Sequence, residues 1–160
     1  MRKRSKYRPR PVLLNPVGYV IESMTPVAQY SGYLVDLRIK NSSAMVALLQ
    51  GRATKADLDM LIAMSNMTEA LQQMGFGEEY RDVCIDGRLA ILSVVNRAGQ
   101  RGRFTPTGPE IQKLNLLLEL HDAQMEMVTV RDVEKALDLV QFKIQHDKDT
   151  IRLATVQEAL

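Results

Sequence analysis

Residues Pro109 to Val128 constrain the fold of this chain more than any other stretch. At about 100° per residue, a helix over them puts Leu114, Leu117, Leu118, His121, Met125 and Val128 on one face. Leu116, Leu120, Ala123 and Met127 share a second, nearly opposite face, and Asn115, Glu119, Asp122 and Glu126 run between them as one polar stripe. A helix on the outside of a small domain needs a single apolar stripe, whereas one apolar on two sides is buried between neighbours. The segment is therefore expected to be the central helix of an all-α domain, or a helix shared between a core and a homodimer interface.

The rest of the chain supports the same class. Asn15-Pro16 reads as a helix start, with Asn as N-cap and Pro at the first helical position, and that helix must stop before Pro26. Ser42 or Ser43 can cap a helix that Gly51 ends. Thr54 caps the next, with Asp57 three residues on and an apolar side of Leu58, Leu61, Ile62, Met67, Ala70, Leu71 and Met74. Glu78, Glu79 and Asp82 open another, running to Gly99, and a loop from Gly99 to Gly108 follows. Thr129 caps the last strong helix, with Val133, Ala136, Leu137, Val140 and Ile144 as its stripe. One segment dissents: Tyr33, Val35, Leu37 and Ile39 alternate with Leu34, Asp36, Arg38 and Lys40, the period of a half-buried strand. The expectation is an all-α bundle of about five or six helices built on 109–128. It divides into a flexible basic arm over 1–11, a helical domain over 12–147 and a C-terminal extension over 148–160.

Charge is segregated along the chain. Residues 1–11 hold Arg2, Lys3, Arg4, Lys6, Arg8 and Arg10 and no acid, which leaves 15 basic against 19 acidic side chains in 12–160, a formal −4. The apolar runs are too short to span a membrane, and Asn15-Pro16 interrupts any signal-peptide core. The single cysteine, Cys84, excludes an intrachain disulfide and fits a reducing cytoplasm.

The opening Arg2-Lys3-Arg4-Ser5-Lys6-Tyr7-Arg8-Pro9, together with Asn66-Met67-Thr68-Glu69-Ala70-Leu71, Gly102-Arg103-Phe104 and His121-Asp122-Ala123-Gln124, resembles a group of small helical proteins from proteobacterial genomes, phages and prophages. The resemblance covers most of the chain. It implies a bacterial or phage origin and, because some members are labelled transcriptional regulators, a regulatory role.

Among candidate sites the arm carries the most chemistry. Its six cations suit nucleic-acid phosphates, and Tyr7 can stack on a base. The bland reading is a solubilising tail, or one that pairs with the acidic body. Arg97, Arg101 and Arg103, beside Phe104, form a second basic cluster on the expected loop, where Arg101 and Arg103 would support the arm. Two helix-turn-helix placements, over 43–74 and around Thr129, present too many acids for a phosphate-lined groove. His121 and His146 lie 25 residues apart with no HExxH and no cysteine cluster, and no metal site or cofactor is expected. Cys84 has no activating base nearby in sequence, and no phosphate-binding glycine loop is present, so no catalytic residues are assigned. The expected function is a non-enzymatic phage-type protein that contacts DNA or RNA. The alternative is an inhibitor or adaptor docking on a host enzyme or defence complex through the acidic stripe or the Met-rich faces.

Overall fold

Reciprocal caps set the helix starts that the sequence signals. The Asp57 carboxylate takes the Thr54 N–H at 2.7 Å while the Thr54 hydroxyl accepts from the Asp57 amide. Thr129 and Asp132 repeat the arrangement, and Glu110 Oε2 accepts the Thr107 N–H at 2.7 Å. Each cap satisfies donors that a helix start otherwise leaves orphaned, typically worth about 1 kcal/mol. The computed structural model describes residues 16–146. They form α1 (Pro16–Ser23), α2 (Ser31–Leu49), α3 (Lys55–Gln73), α4 (Arg81–Arg101), α5 (Gly108–Met127) and α6 (Val130–Gln145), with short 3₁₀ turns at Val27–Gln29 and Glu78–Tyr80. The arm and the C-terminal extension lie outside the described residues.

An isolated antiparallel bridge, Pro26 to Thr129, is the only β pairing among the described residues. Val27 N–H donates to Val128 O at 2.9 Å and Val130 N–H to Thr25 O at 3.0 Å. These bonds tie the α1–α2 link to the α5–α6 link.

The expected strand over 33–40 is instead the first half of α2. As a helix the segment buries Leu34, Asn41, Ala44, Met45 and Leu48 on one side, at spacings of three and four. Val35, Ile39, Val46 and Leu49 stay exposed on another. Apolar residues on both sides of a helix mimic a two-residue period when read over eight positions. Helix α4 also outruns its expected end at Gly99, reaching Arg101 before Gly102 closes it with φ +68° and its N–H on Ala98 O at 2.7 Å. That left-handed turn is open to glycine without steric cost.

The helix enclosed by its neighbours is α3, which packs on α2, α4, α5 and α6. Leu58, Leu61, Ser65, Thr68, Ala70, Leu71 and Gln72 are all buried, so neighbours cover most of the helix, while Ala63 and Gln73 stay exposed. Ser65, Thr68 and Ala70 are small enough for close approach, and the Thr68 hydroxyl returns to Met64 O at 2.8 Å. In α5 the face of Leu114, Leu117, His121 and Met125 is buried as expected, but on the second face only Leu120 is. Leu116 is 51% and Met127 59% exposed. The two-faced pattern of α5 therefore corresponds to one core face and one wet face, and the centre of the bundle belongs to α3.

Two apolar cores result. One gathers Leu48, Leu58, Leu61, Ile91, Val94 and Leu117 between α2, α3, α4 and α5; the other gathers Val27, Leu34, Leu71, Met125, Val128 and Ala136 toward α6. Gln124, fully buried, pins α5 to both the α3 backbone and the turn that follows α3. Its Nε2 donates to Thr68 O at 3.1 Å and Phe76 O at 2.8 Å.

Candidate functional site

At the join of the two cores the helices leave a cavity of about 530 Å³. Both α2 and α6 pack on α3, and the space between them is floored by Ile62, Ala63, Asn66 and Met67 of α3 with His121 and Met125 of α5. Tyr33 of α2, Ala63 of α3 and Leu137 and Ile144 of α6 form the exposed part of its lining. Its walls are mainly apolar, and its size falls in the usual range for small-molecule pockets.

Polar groups punctuate this lining. Asn41 is 1% exposed, and neither its Oδ1 nor its Nδ2 has a hydrogen-bond partner among the described residues. A buried amide left this way costs about 1–3 kcal/mol per unsatisfied group, and Asn41 is buried with both its polar side-chain atoms in that state. Asp59 Oδ1 is likewise buried without a partner, seven residues before Asn66 on α3. That spacing is roughly 10 Å along the helix axis.

His121 is 2% exposed, and its Nδ1 lies 3.1 Å from Thr68 Oγ1. The Thr68 hydroxyl proton goes to Met64 O at the shorter 2.8 Å, so we assign the imidazole proton to Nδ1, which then donates to Thr68. Nε2 is left as an acceptor. Burial pulls the His121 pKa down to about 4, so the ring is neutral near pH 7.

Five cations of the described body, Arg38, Arg88, Arg97, Lys113 and Lys143, pair with carboxylates. Arg97 binds the Glu110 carboxylate and donates to Thr105 O at 2.6 Å. It is thus a structural brace between α4 and α5, and the hydrogen bond from Arg97 holds the Glu110 carboxyl below its usual range. Glu69 of α3 accepts from both Arg88 of α4 and Lys143 of α6, linking three helices. Arg38 reaches Glu126 at 2.5 Å and Asp122 at 3.5 Å. Two of the three carboxylates in the expected acidic docking stripe are therefore held by a neighbouring helix. Of the proposed nucleic-acid contacts, Arg103 is exposed just past α4, and Arg101 is the last residue of α4 itself. Arg2, Lys3, Arg4, Lys6, Tyr7, Arg8 and Arg10 lie outside the described residues.

Cys84 is buried, and desolvation pushes its thiol up to about 11, which keeps it protonated and a weak nucleophile. Among the described residues no cluster of three His, Cys, Asp or Glu side chains could hold a metal ion. No described helix is long and apolar enough to cross a membrane.

No protein-family model, curated protein or solved structure matches this chain. The functional reading therefore rests on the residues themselves. Sequence reasoning named His121, Met67 and Met125 only as core or adaptable-packing residues and missed Asn41. The available signal was positional: with 31–49 read as a helix, Asn41 falls in the buried row of Leu34, Met45 and Leu48, where an amide is out of place.

Proposed function

We propose that the protein is a non-enzymatic, phage- or prophage-type binding protein of the bacterial cytoplasm that contacts nucleic acid, DNA or RNA, through residues 1–11. The observation that carries this reading is the density of positive charge at the start of the sequence. On the body, Arg38, Arg88, Arg97, Lys113 and Lys143 each face a carboxylate. The first eleven residues have six cations and no acid of their own. Phosphates suit a segment of that composition, and Tyr7 adds a stacking surface. Arg101 and Arg103 extend the footprint. The alternative, an adaptor docking through acidic side chains, retains Glu119, while Asp122 and Glu126 are bound to Arg38.

Titrating the full chain against duplex DNA, single-stranded DNA and RNA at several salt concentrations tests this. If all six cations engage a duplex, log K should fall against log salt with a slope of roughly −5. Deleting residues 1–11 should abolish most of that dependence, and Arg101→Ala with Arg103→Ala should shorten the slope by a smaller amount. Salt-insensitive binding, or none, by the full chain would remove the proposal.

A homodimer would seat on the wet face of α5, where Leu116, Ala123 and Met127 are exposed. Light scattering at tens of micromolar should then give twice the 18.0 kDa chain mass, reverting to one on Leu116→Glu. A single-chain mass for the parent protein removes the dimer.

A further inference from the structure

We propose that the cavity between α2 and α6 binds a neutral amphiphile, its apolar body lying along α3 and its primary-amide head paired with Asn41. This inference does not depend on the function proposed for residues 1–11. The geometry sets each part of the ligand. Ile62, Met67, Val133 and Val140 offer a wall for an alkyl or aryl chain, and Tyr33 and Leu137 stay exposed at the edge where it can enter.

The head is set by what the cavity floor lacks. Asn41 presents one unpartnered acceptor and one unpartnered donor side by side on a nearly inaccessible side chain. A primary amide is the complement of that edge: its N–H donates to Asn41 Oδ1 while its C=O accepts from Asn41 Nδ2. The second N–H of such a head can serve a further acceptor, and His121 Nε2 is one on the same lining.

Charge excludes the near relatives. No lysine or arginine lines the cavity, so a carboxylate or phosphate head would be buried without a counter-cation. An ammonium head would find the Asp59 carboxylate, but it carries donors only and would leave the donor of Asn41 unpaired. A neutral head with both a donor and an acceptor is the class that satisfies Asn41 on both atoms.

The test uses the full chain, with Nile red as a neutral reporter and decanamide, decanoate and decylammonium as competitors. Nile red fluorescence should rise on binding, and decanamide should displace the dye about tenfold more effectively than either charged analogue. Asn41→Leu should keep the dye and the melting temperature while losing that tenfold preference. Ala63→Trp, which fills the groove from α3, should lose dye and amide together. Absence of dye binding overturns the proposal, as does equal or better displacement by decanoate or decylammonium. An unchanged amide preference in Asn41→Leu overturns the pairing. Unchanged dye binding in Ala63→Trp overturns the location.

Discussion

Replacing Gly87 by alanine is expected to lower the urea midpoint, although the same change in an open helix raises stability by about 1 kcal/mol. Gly87 lies inside α4 where α5 crosses it. A Cβ built there would sit 2.7 Å from Leu117 Cδ2 and 2.8 Å from Leu117 Cβ. The first atom could rotate away. The second is fixed to the α5 backbone, so relief requires the two helices to part. Leu117 is fully buried in the larger core, and parting them loosens the contact with Ile91 and Val94. Overpacking of this kind costs about 1–3 kcal/mol, which outweighs the gain in helix propensity. Gly87→Leu should exceed that range and leave little folded protein at ambient temperature. Leu117→Ala alone opens a void costing about 2–5 kcal/mol, and because alanine keeps the Cβ at 2.8 Å, adding Gly87→Ala to it should lower the midpoint further. A higher midpoint for Gly87→Ala alone would show that the helices do not approach as described.

The second large effect is an acid-side loss of stability that belongs to His121. Its unfolded pKa is 6.5, and burial lowers the folded value to about 4. The folded state therefore binds fewer protons than the unfolded chain between these two values. Stability from this group is fully present above about pH 6.5, declines as pH falls through the window, and is gone below about pH 4. A shift of this size corresponds to about 3 kcal/mol across the whole window. Asp59 lines the same cavity and Asp122 follows on α5, but desolvation is the cause of the His121 shift, with no charged neighbour opposing it. Urea midpoints of the parent protein should fall between pH 6.5 and 4.5, and His121→Gln should flatten that decline. Asp57 and Glu110, whose hydrogen bonds hold them below their usual ranges, withdraw their contribution at lower pH in both proteins. Parallel curves for parent and variant between pH 6.5 and 4.5 would contradict a buried neutral imidazole.

Both effects arise at contacts between elements distant in sequence, and this marks what could be read in advance. The helix starts at Thr54 and Thr129 were legible because a cap is made of residues three apart, with all its chemistry in one window. The stops at Gly51 and before Pro26 were legible for the same reason. The all-α class followed from apolar spacing in the helices that begin at those caps. What failed was the assignment of partners. The 33–40 stretch has apolar residues on two sides of its helix, and no local rule says which side a neighbour will cover. The same ambiguity made α5 look more enclosed than α3.

The sequence by itself determined the caps at Thr54 and Thr129, the stop before Pro26 and the segregation of six cations into the first eleven residues, since each depends on near neighbours or on composition, whereas the expected cap at Ser42 or Ser43 falls inside α2. Only the tertiary structure decided that α3 is enclosed, that Arg97 is a brace rather than a free cation, and that Asn41 and His121 line one cavity. Those facts depend on which faces meet when α2, α5 and α6 settle on α3. Helix packing selects them by burying the most apolar surface, a property of the assembled bundle that no single stretch of chain contains.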